Sequence, residues 1–231
     1  GRGGRAVKKY IDKVLKRKVR YVLKIDVRKF FPSEDHVKLK ELLARKIKDV
    51  DVLDLLGSII DAGGEGLPIG FYTSQWLSNF YLQEVDHYIK EELHVKYYVR
   101  YVDDMVLIDT NKKKLHSARQ KLCEYLKSFS LRLKDNWQLW KISSRPLDFV
   151  GYRYYRRYTK LRKRLFLHLN KVVRDVKRGG LNILRARRFI SLYGWTKRIN
   201  FKRYYKRKIK PIISKRIARE YIGNYTVKMA A

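Results

Sequence analysis

The apolar positions change period several times along the chain. Val7, Tyr10, Ile11, Val14 and Leu15 recur at helical spacing and predict a short basic helix over residues 7–20. Tyr21 to Val27 is rich in β-branched residues and predicts a strand. Pro32, followed by Ser33, Glu34 and Asp35, marks a helix start with Ser33 as N-cap and acids in the first turn. That helix is expected to reach about Lys48, and a second short one covers Val52 to Ile60. The run Gly63-Gly64-Glu65-Gly66-Leu67-Pro68-Ile69-Gly70 predicts a loop. Thr73 or Ser74 then caps a long helix to about Leu93.

Between Lys96 and Asp109 the period drops to two. Tyr97, Val99 and Tyr101 alternate on one side of Asp103-Asp104, and Met105, Val106 and Ile108 follow on the other, which predicts a hairpin. Leu115 to Phe129 is helical, Leu131 to Tyr155 reads as short strands, and Leu165 to Leu169 as a further strand. From Asn170 the pattern is helical and very basic, broken at Gly179-Gly180 and Pro211. An antiparallel hairpin within helical surroundings predicts an α+β fold, a sheet with helices on one face. A domain boundary is expected near residues 156–164.

Charge changes the picture most. The 231 residues carry 56 Lys and Arg against 22 acids, a net charge of +34. Such an excess opposes folding through self-repulsion unless a polyanion screens it, and nucleic acid is the natural partner. From Gly151 to Ala231 the only acids are Asp175 and Glu220, against 26 Lys and Arg. The carboxylates concentrate mid-chain, which suggests an acidic site beside a basic binding surface. No run of apolar residues is long enough for a membrane helix, so no membrane partner is expected. The lone Cys123 excludes an internal disulfide and fits a reducing, cytoplasmic setting.

Three of those carboxylates have a pattern. Asp26 closes an apolar strand, and Asp103-Asp104 sits at the tip of an apolar hairpin. Adjacent carboxylates repel, and tight turns prefer Asn-Gly or Asp-Gly. A divalent cation with hard oxygen ligands turns the repulsion into coordination. If the strand of Asp26 lies beside the hairpin, three carboxylates meet at one end of a sheet, the arrangement needed for two-metal phosphoryl transfer.

The flanking residues resemble those of reverse transcriptases. Arg100-Tyr101-Val102-Asp103-Asp104-Met105-Val106 resembles that family's catalytic hairpin. Lys24-Ile25-Asp26-Val27-Arg28-Lys29-Phe30-Phe31-Pro32 resembles its first catalytic strand, and Gly66-Leu67-Pro68-Ile69-Gly70-Phe71-Tyr72-Thr73-Ser74-Gln75 its nucleotide-binding loop and helix. Phe149-Val150-Gly151-Tyr152 resembles the primer grip, and Phe189-Ile190-Ser191-Leu192-Tyr193-Gly194-Trp195 a piece of the helical thumb.

The resemblance implies a right-hand polymerase. Residues 1–20 would end the fingers, 21–155 form the palm and 156–231 a basic helical thumb. Asp26, Asp103 and Asp104 would be catalytic and would hold two Mg²⁺, or Mn²⁺, with the Val27 carbonyl assisting. Phe31 would gate the sugar of an incoming dNTP, beside Ile69, Gly70, Ser74 and Gln75. Tyr101 and Tyr152 would lie along the primer or template strand. Arg2, Arg5, Lys134 and Arg198 would contact nucleic acid, and Lys134 and Lys141 are both candidates for the acid that protonates pyrophosphate. The implied partners are template RNA, a cDNA primer-template duplex and dNTPs, with a small basic accessory protein, in the cytoplasm of a bacterial, archaeal or phage-encoded system.

Ile69-Gly70 and Ser74-Gln75 stand where most of the family carries Gln-Gly and Ser-Pro. This variant resembles the error-prone reverse transcriptases of diversity-generating retroelements, which are similar to group II intron enzymes. Isoleucine offers the nascent pair only apolar contact where glutamine would hydrogen-bond. Group II intron-like and phage-defence reverse transcriptases, and a non-catalytic RNA-binding remnant of the fold, are the alternatives. The match also begins at the end of the second fingers motif. The earlier fingers strands are therefore expected to be missing, and the chain reads as a fragment, an incomplete gene product or a degenerate copy.

Overall fold

Gly3–Leu15 forms helix α1, with Val7, Ile11, Val14 and Leu15 buried along one stripe. The structure is a computed structural model, which describes residues 3–62 and 64–230, with side chains to residue 226. Helix α1 stops earlier than the predicted residue 20. Arg20 N–H already bonds to the Asp109 carbonyl, so the chain must be extended there to enter the sheet. Strand β1, Tyr21–Asp26, follows as predicted.

Ser33 does not cap the next helix. Phe31–Ser33 is a single tight 3-10 turn around Pro32, and Ser33 Oγ lies toward the Arg28 carbonyl at 3.5 Å. Asp35 takes the cap, accepting from Lys38 N–H at 3.0 Å, and helix α2 runs His36–Ala44. Asp49 caps helix α3, Val50–Asp61, in the same way. The long helix expected up to Leu93 is three pieces: α4, Tyr72–Tyr81; α5, Gln83–His87; and a wider π turn, Tyr88–Glu92. Neither Thr73 nor Ser74 caps α4. Ser74 is buried and donates its hydroxyl to the Pro68 carbonyl at 2.7 Å, pinning the loop before it.

The predicted hairpin is present as β2, Tyr97–Tyr101, and β3, Asp104–Asp109. Helix α6, Lys112–Lys127, is capped by Asn111, and β4, Gln138–Lys141, follows it. The four strands form an antiparallel sheet in the order β2-β3-β1-β4. Leu23, Ile25, Met105 and Leu107 point into a core shared with Leu39, Leu77, Val85 and Leu122 from α2, α4, α5 and α6. Each such sealed side chain contributes roughly 1.5–3 kcal/mol. Val22, Val106 and Ile108, pointing the other way, are equally sealed. That second face is covered at this end only, since Lys24, Asp26 and Asp104 farther along it stay partly exposed.

Residues Gly1–Arg145 form one compact unit and Pro146–Ala231 a second. The break falls ahead of the boundary expected near 156–164, so the next strands go with the C-terminal unit. These are β5, Leu147–Phe149; β6, Tyr152–Tyr154; and β7, Thr159–Leu161, an antiparallel sheet of three. The strand expected at Leu165 to Leu169 is instead the start of helix α7, Lys163–Gly179. Leu169, Val172, Val173 and Val176 are buried at helical spacing, so the apolar run belongs to a longer helical stripe. Helix α8, Ile183–Thr196, a short helix α9, Lys202–Tyr204, and helix α10, Lys215–Ala230, complete the unit. Phe189, Ile209, Ile213 and Ala218 complete its core with α7. Among the described residues, no helix is long and apolar enough to cross a membrane.

Candidate catalytic carboxylate site

Antiparallel pairing decides what the sequence left conditional. The register of β1 on β3 sets Asp26 directly opposite Asp104, and β2 on β3 sets Tyr101 opposite Asp104. Asp103 occupies the intervening turn with Val102. The three aspartates therefore meet at one end of the sheet. Burial holds Asp103 above the ordinary carboxylate range, and the charges of Asp26 and Asp104 push the same way. Burial likewise raises Asp104, with Lys24 opposing and Asp26 adding to the shift.

Two lysines face this negative charge. Lys134 Nζ lies 2.5 Å from Asp26 Oδ1, and Lys24 Nζ lies 3.4 Å from Asp104 Oδ1. The contact with Asp26 holds the Lys134 ammonium above its ordinary range. Lys24 was not singled out in the sequence. It stands two residues before Asp26, so strand alternation puts both side chains on one face. Lys134 is brought in by an isolated bridge between Val27 and Leu133. Its bonds run from Arg28 N–H to the Arg132 carbonyl and from Lys134 N–H to the Asp26 carbonyl. The bridge thus uses the Asp26 carbonyl and the Arg28 N–H, on either side of Val27, and not the Val27 carbonyl.

The donor chemistry suits a hard divalent cation. Asp26 Oδ1 and Asp104 Oδ1 are sealed from solvent without a directed hydrogen bond, each facing a lysine ammonium instead. Among the described residues, however, no group of three or more His, Cys, Asp or Glu side chains is arranged so that it could hold a metal ion. The aspartates converge, and Lys24 and Lys134 offset part of their charge.

The turn before α2 carries Phe31 to the same end of β1. Phe30 is buried in the core, and Phe31 is half-buried with its ring 5.4 Å from that of Phe30. Core packing thus falls to Phe30 and leaves Phe31 partly open. The Phe31 carbonyl accepts from Leu67 N–H at 2.9 Å, which ties the glycine-rich loop to this turn. Gly66 makes that approach feasible: a Cβ there would lie 2.3 Å from the Phe31 oxygen, and its φ is +66°. His36 Nε2 secures the same loop at the Gly66 carbonyl, 2.9 Å away. Beyond it Ile69 is 80% exposed, Gly70 takes φ +106°, and Gln75 is exposed on α4. Ser74, also in the expected nucleotide-binding set, is buried with its hydroxyl on the Pro68 carbonyl.

The expected primer-grip residues divide similarly. Val150 and Gly151 form a two-residue turn with φ +41° and +78°, suited to a tight hairpin. Phe149 and Tyr152 are fully buried, and Tyr152 donates its hydroxyl to the Trp195 carbonyl at 3.1 Å. Their side chains are packed inside the C-terminal unit. Tyr101 is 42% exposed at the end of β2, and Arg5 and Arg198 are exposed. Arg2 lies outside the described residues. Lys141 is exposed on β4, paired in register with Tyr21 at the far end of β1 from Asp26.

The sequence pattern of the family described as "Reverse transcriptase (RNA-dependent DNA polymerase)" matches residues 3–154. The retron Ec73 reverse transcriptase of Escherichia coli is 32% identical over 109 residues, covering 42% of this chain and 34% of that protein. The chain thus spans about a third of that relative's length. Apo telomerase from Candida tropicalis is similar in fold, with a TM-score of 0.60 at 13% identity over 84% of this chain and 45% of that one. Telomerase from Candida albicans, in complex with the TWJ fragment of telomeric RNA, gives 0.55 at 14% identity over 87% and 42%. At these identities the structural likeness is one of fold.

Proposed function

The chain belongs to the reverse transcriptase family, and on that premise we propose that it carries out RNA-directed DNA synthesis at Asp26, Asp103 and Asp104. The observation that carries this reading is the register of Asp26 against Asp104, with the Asp103 turn beside them. A pure binder of polyanions gains nothing by gathering three carboxylates at one sheet edge.

Asp26, Asp103 and Asp104 would hold the divalent ions, Mg²⁺ or Mn²⁺, whose charge activates the attacking 3′-hydroxyl and stabilises the transferring phosphoryl group. The partly open Phe31 ring would sit against the incoming sugar, and its own carbonyl fixes the loop that presents Ile69. Of the two candidate general acids, Lys134 is supported by its contact with Asp26, whereas Lys141 lies at the opposite end of β1. Template RNA, the primer-template duplex and dNTPs are the proposed ligands. The exposed cations of α1 and the C-terminal helices would grip phosphates without reading sequence.

Residues 1–20, 21–155 and 156–231 are proposed as fingers end, palm and thumb, with the primer-grip hairpin packed as part of the C-terminal unit. The diversity-generating type is proposed from Ile69-Gly70 and Ser74-Gln75, and the high exposure of Ile69 supports a side chain available to the nascent pair. The likeness to a retron enzyme supports a second reading, a related bacterial reverse transcriptase in another setting.

The test is Mg²⁺-dependent dNTP incorporation on a primed RNA template by this chain and by Asp103→Asn. Incorporation at least a hundredfold weaker in the variant is expected for loss of a metal ligand, in the range of roughly 10²–10⁴. Equal activity in both would remove the site assignment. Sequencing of cDNA made by Ile69→Gln should show fewer errors opposite template adenine. An unchanged error spectrum would favour the second reading.

A further inference from the structure

The turn that presents the aspartates is strained, and one side chain holds it. Val102 adopts φ +58°, a left-handed conformation that a β-branched residue rarely takes and that costs roughly 1–2 kcal/mol. Arg100, on β2, folds back onto it and donates from Nη1 to the Val102 carbonyl at 3.1 Å. The same Nη1 donates to Asn79 Oδ1 on α4 at 3.0 Å. Nε and Nη2 reach the Asp86 carboxylate on α5 at 2.8 and 2.5 Å, and Tyr98 donates to Asp86 Oδ1 at 2.6 Å. The Arg100 side chain is only 10% exposed, so this fork works largely out of water.

We propose that Arg100 is a positioning residue for the carboxylate site, touching neither metal nor substrate. It fixes the Val102 carbonyl and hence the direction in which Asp103 and Asp104 project. Through Asn79 it also registers that turn against α4, the helix that follows the loop bearing Ile69 and Gly70. One guanidinium thus links the two segments that must act on the same nucleotide. The planar fork matters more than the charge, because a lysine cannot bond Asp86, Asn79 and Val102 together. This inference rests on the reading of the aspartates as metal ligands.

The test counts bound Mn²⁺ by the electron paramagnetic resonance signal of the free ion. Proteins compared are the unaltered chain, Asp103→Asn, Arg100→Lys, Asn79→Ala and, as control, Arg45→Lys. Arg45 pairs with Glu84 on α5 at 3.0 Å without reaching the turn. Circular dichroism fixes a temperature at which every variant counted is folded. Arg100→Lys is expected to bind Mn²⁺ about tenfold more weakly, the scale seen when a group that orients a metal ligand is lost. Asn79→Ala should weaken binding in the same direction, and Arg45→Lys should match the unaltered chain. If Asp103→Asn loses an Mn²⁺ site while folded Arg100→Lys and Asn79→Ala keep it at full affinity, the positioning role is overturned and the metal reading stands. If Asp103→Asn binds as the unaltered chain does, both are overturned. Should Arg100→Lys not fold, Asn79→Ala decides, since the residue is exposed and its removal leaves the Asp86 pair intact.

Discussion

Replacing Glu34 with glutamine separates charge from shape at a sealed acid between two functional segments. Glu34 directly follows the turn bearing Phe31, is 3% exposed, and has both carboxylate oxygens shut away from water. Ser78 Oγ on α4 lies near enough to moderate the effect but makes no directed hydrogen bond. Burial pushes the Glu34 carboxyl from its ordinary value of 4.5 up to about 8. The folded protein therefore holds this proton more tightly than the unfolded chain. Stability from the neutral form is fully present below about pH 4.5, declines as pH rises, and is lost by about pH 8. At about 1.4 kcal/mol per tenfold change in proton affinity, the penalty has an upper bound near ~5 kcal/mol. Relaxation around the charged group lowers it, and roughly 2–4 kcal/mol is expected. Urea denaturation of the unaltered protein and Glu34→Gln at constant salt, from pH 5 to pH 9, reads the difference directly. Other titrating groups cancel between the two profiles. The curves should lie closest near pH 5 and diverge up to about pH 8, with the glutamine variant gaining relative stability toward the alkaline end. Parallel profiles between pH 5 and pH 8, or a gap that narrows as pH rises, would refute the argument from burial.

Two further substitutions test the packing around the site. Gly66→Ala must either clash with the Phe31 carbonyl or displace the loop, and should lower stability by roughly 2 kcal/mol or more and weaken dNTP use, measured by thermal melting and by KM. Tyr152→Phe removes one hydrogen bond to the Trp195 carbonyl and should cost about 1 kcal/mol in urea denaturation. Its affinity for a primer-template duplex in a filter-binding titration should be unchanged. A marked fall in affinity without loss of stability would support a place for Tyr152 along the primer or template strand.

The alternation around Asp103-Asp104 and the β-branched run before Asp26 made the hairpin and the first strand legible from sequence alone, and the basic excess after Gly151 pointed to the proposed nucleic-acid partner. These features are local: they depend on side-chain period and charge, and the chain realises them with little help from distant residues. The caps and element ends were less legible. Ser33, Thr73 and Ser74 all have cap chemistry, but the tight turn at Pro32 and the Pro68 carbonyl compete for two of them. The run at Leu165 to Leu169 is too short for its period to separate strand from helix, and only packing against Phe189 and Ile213 decides it. The convergence of the aspartates is a third kind of fact. Nothing within the hairpin or the first strand states that Asp26 opposes Asp104, because register is fixed by which faces of β1 and β3 bury Ile25 and Met105. The lysines facing those carboxylates and the Arg100 fork across α4 and α5 likewise exist only after the sheet and helices close. The sequence determined which residues could do chemistry; the tertiary structure decided which of them meet, because contacts between distant segments are set by shared burial and not by spacing.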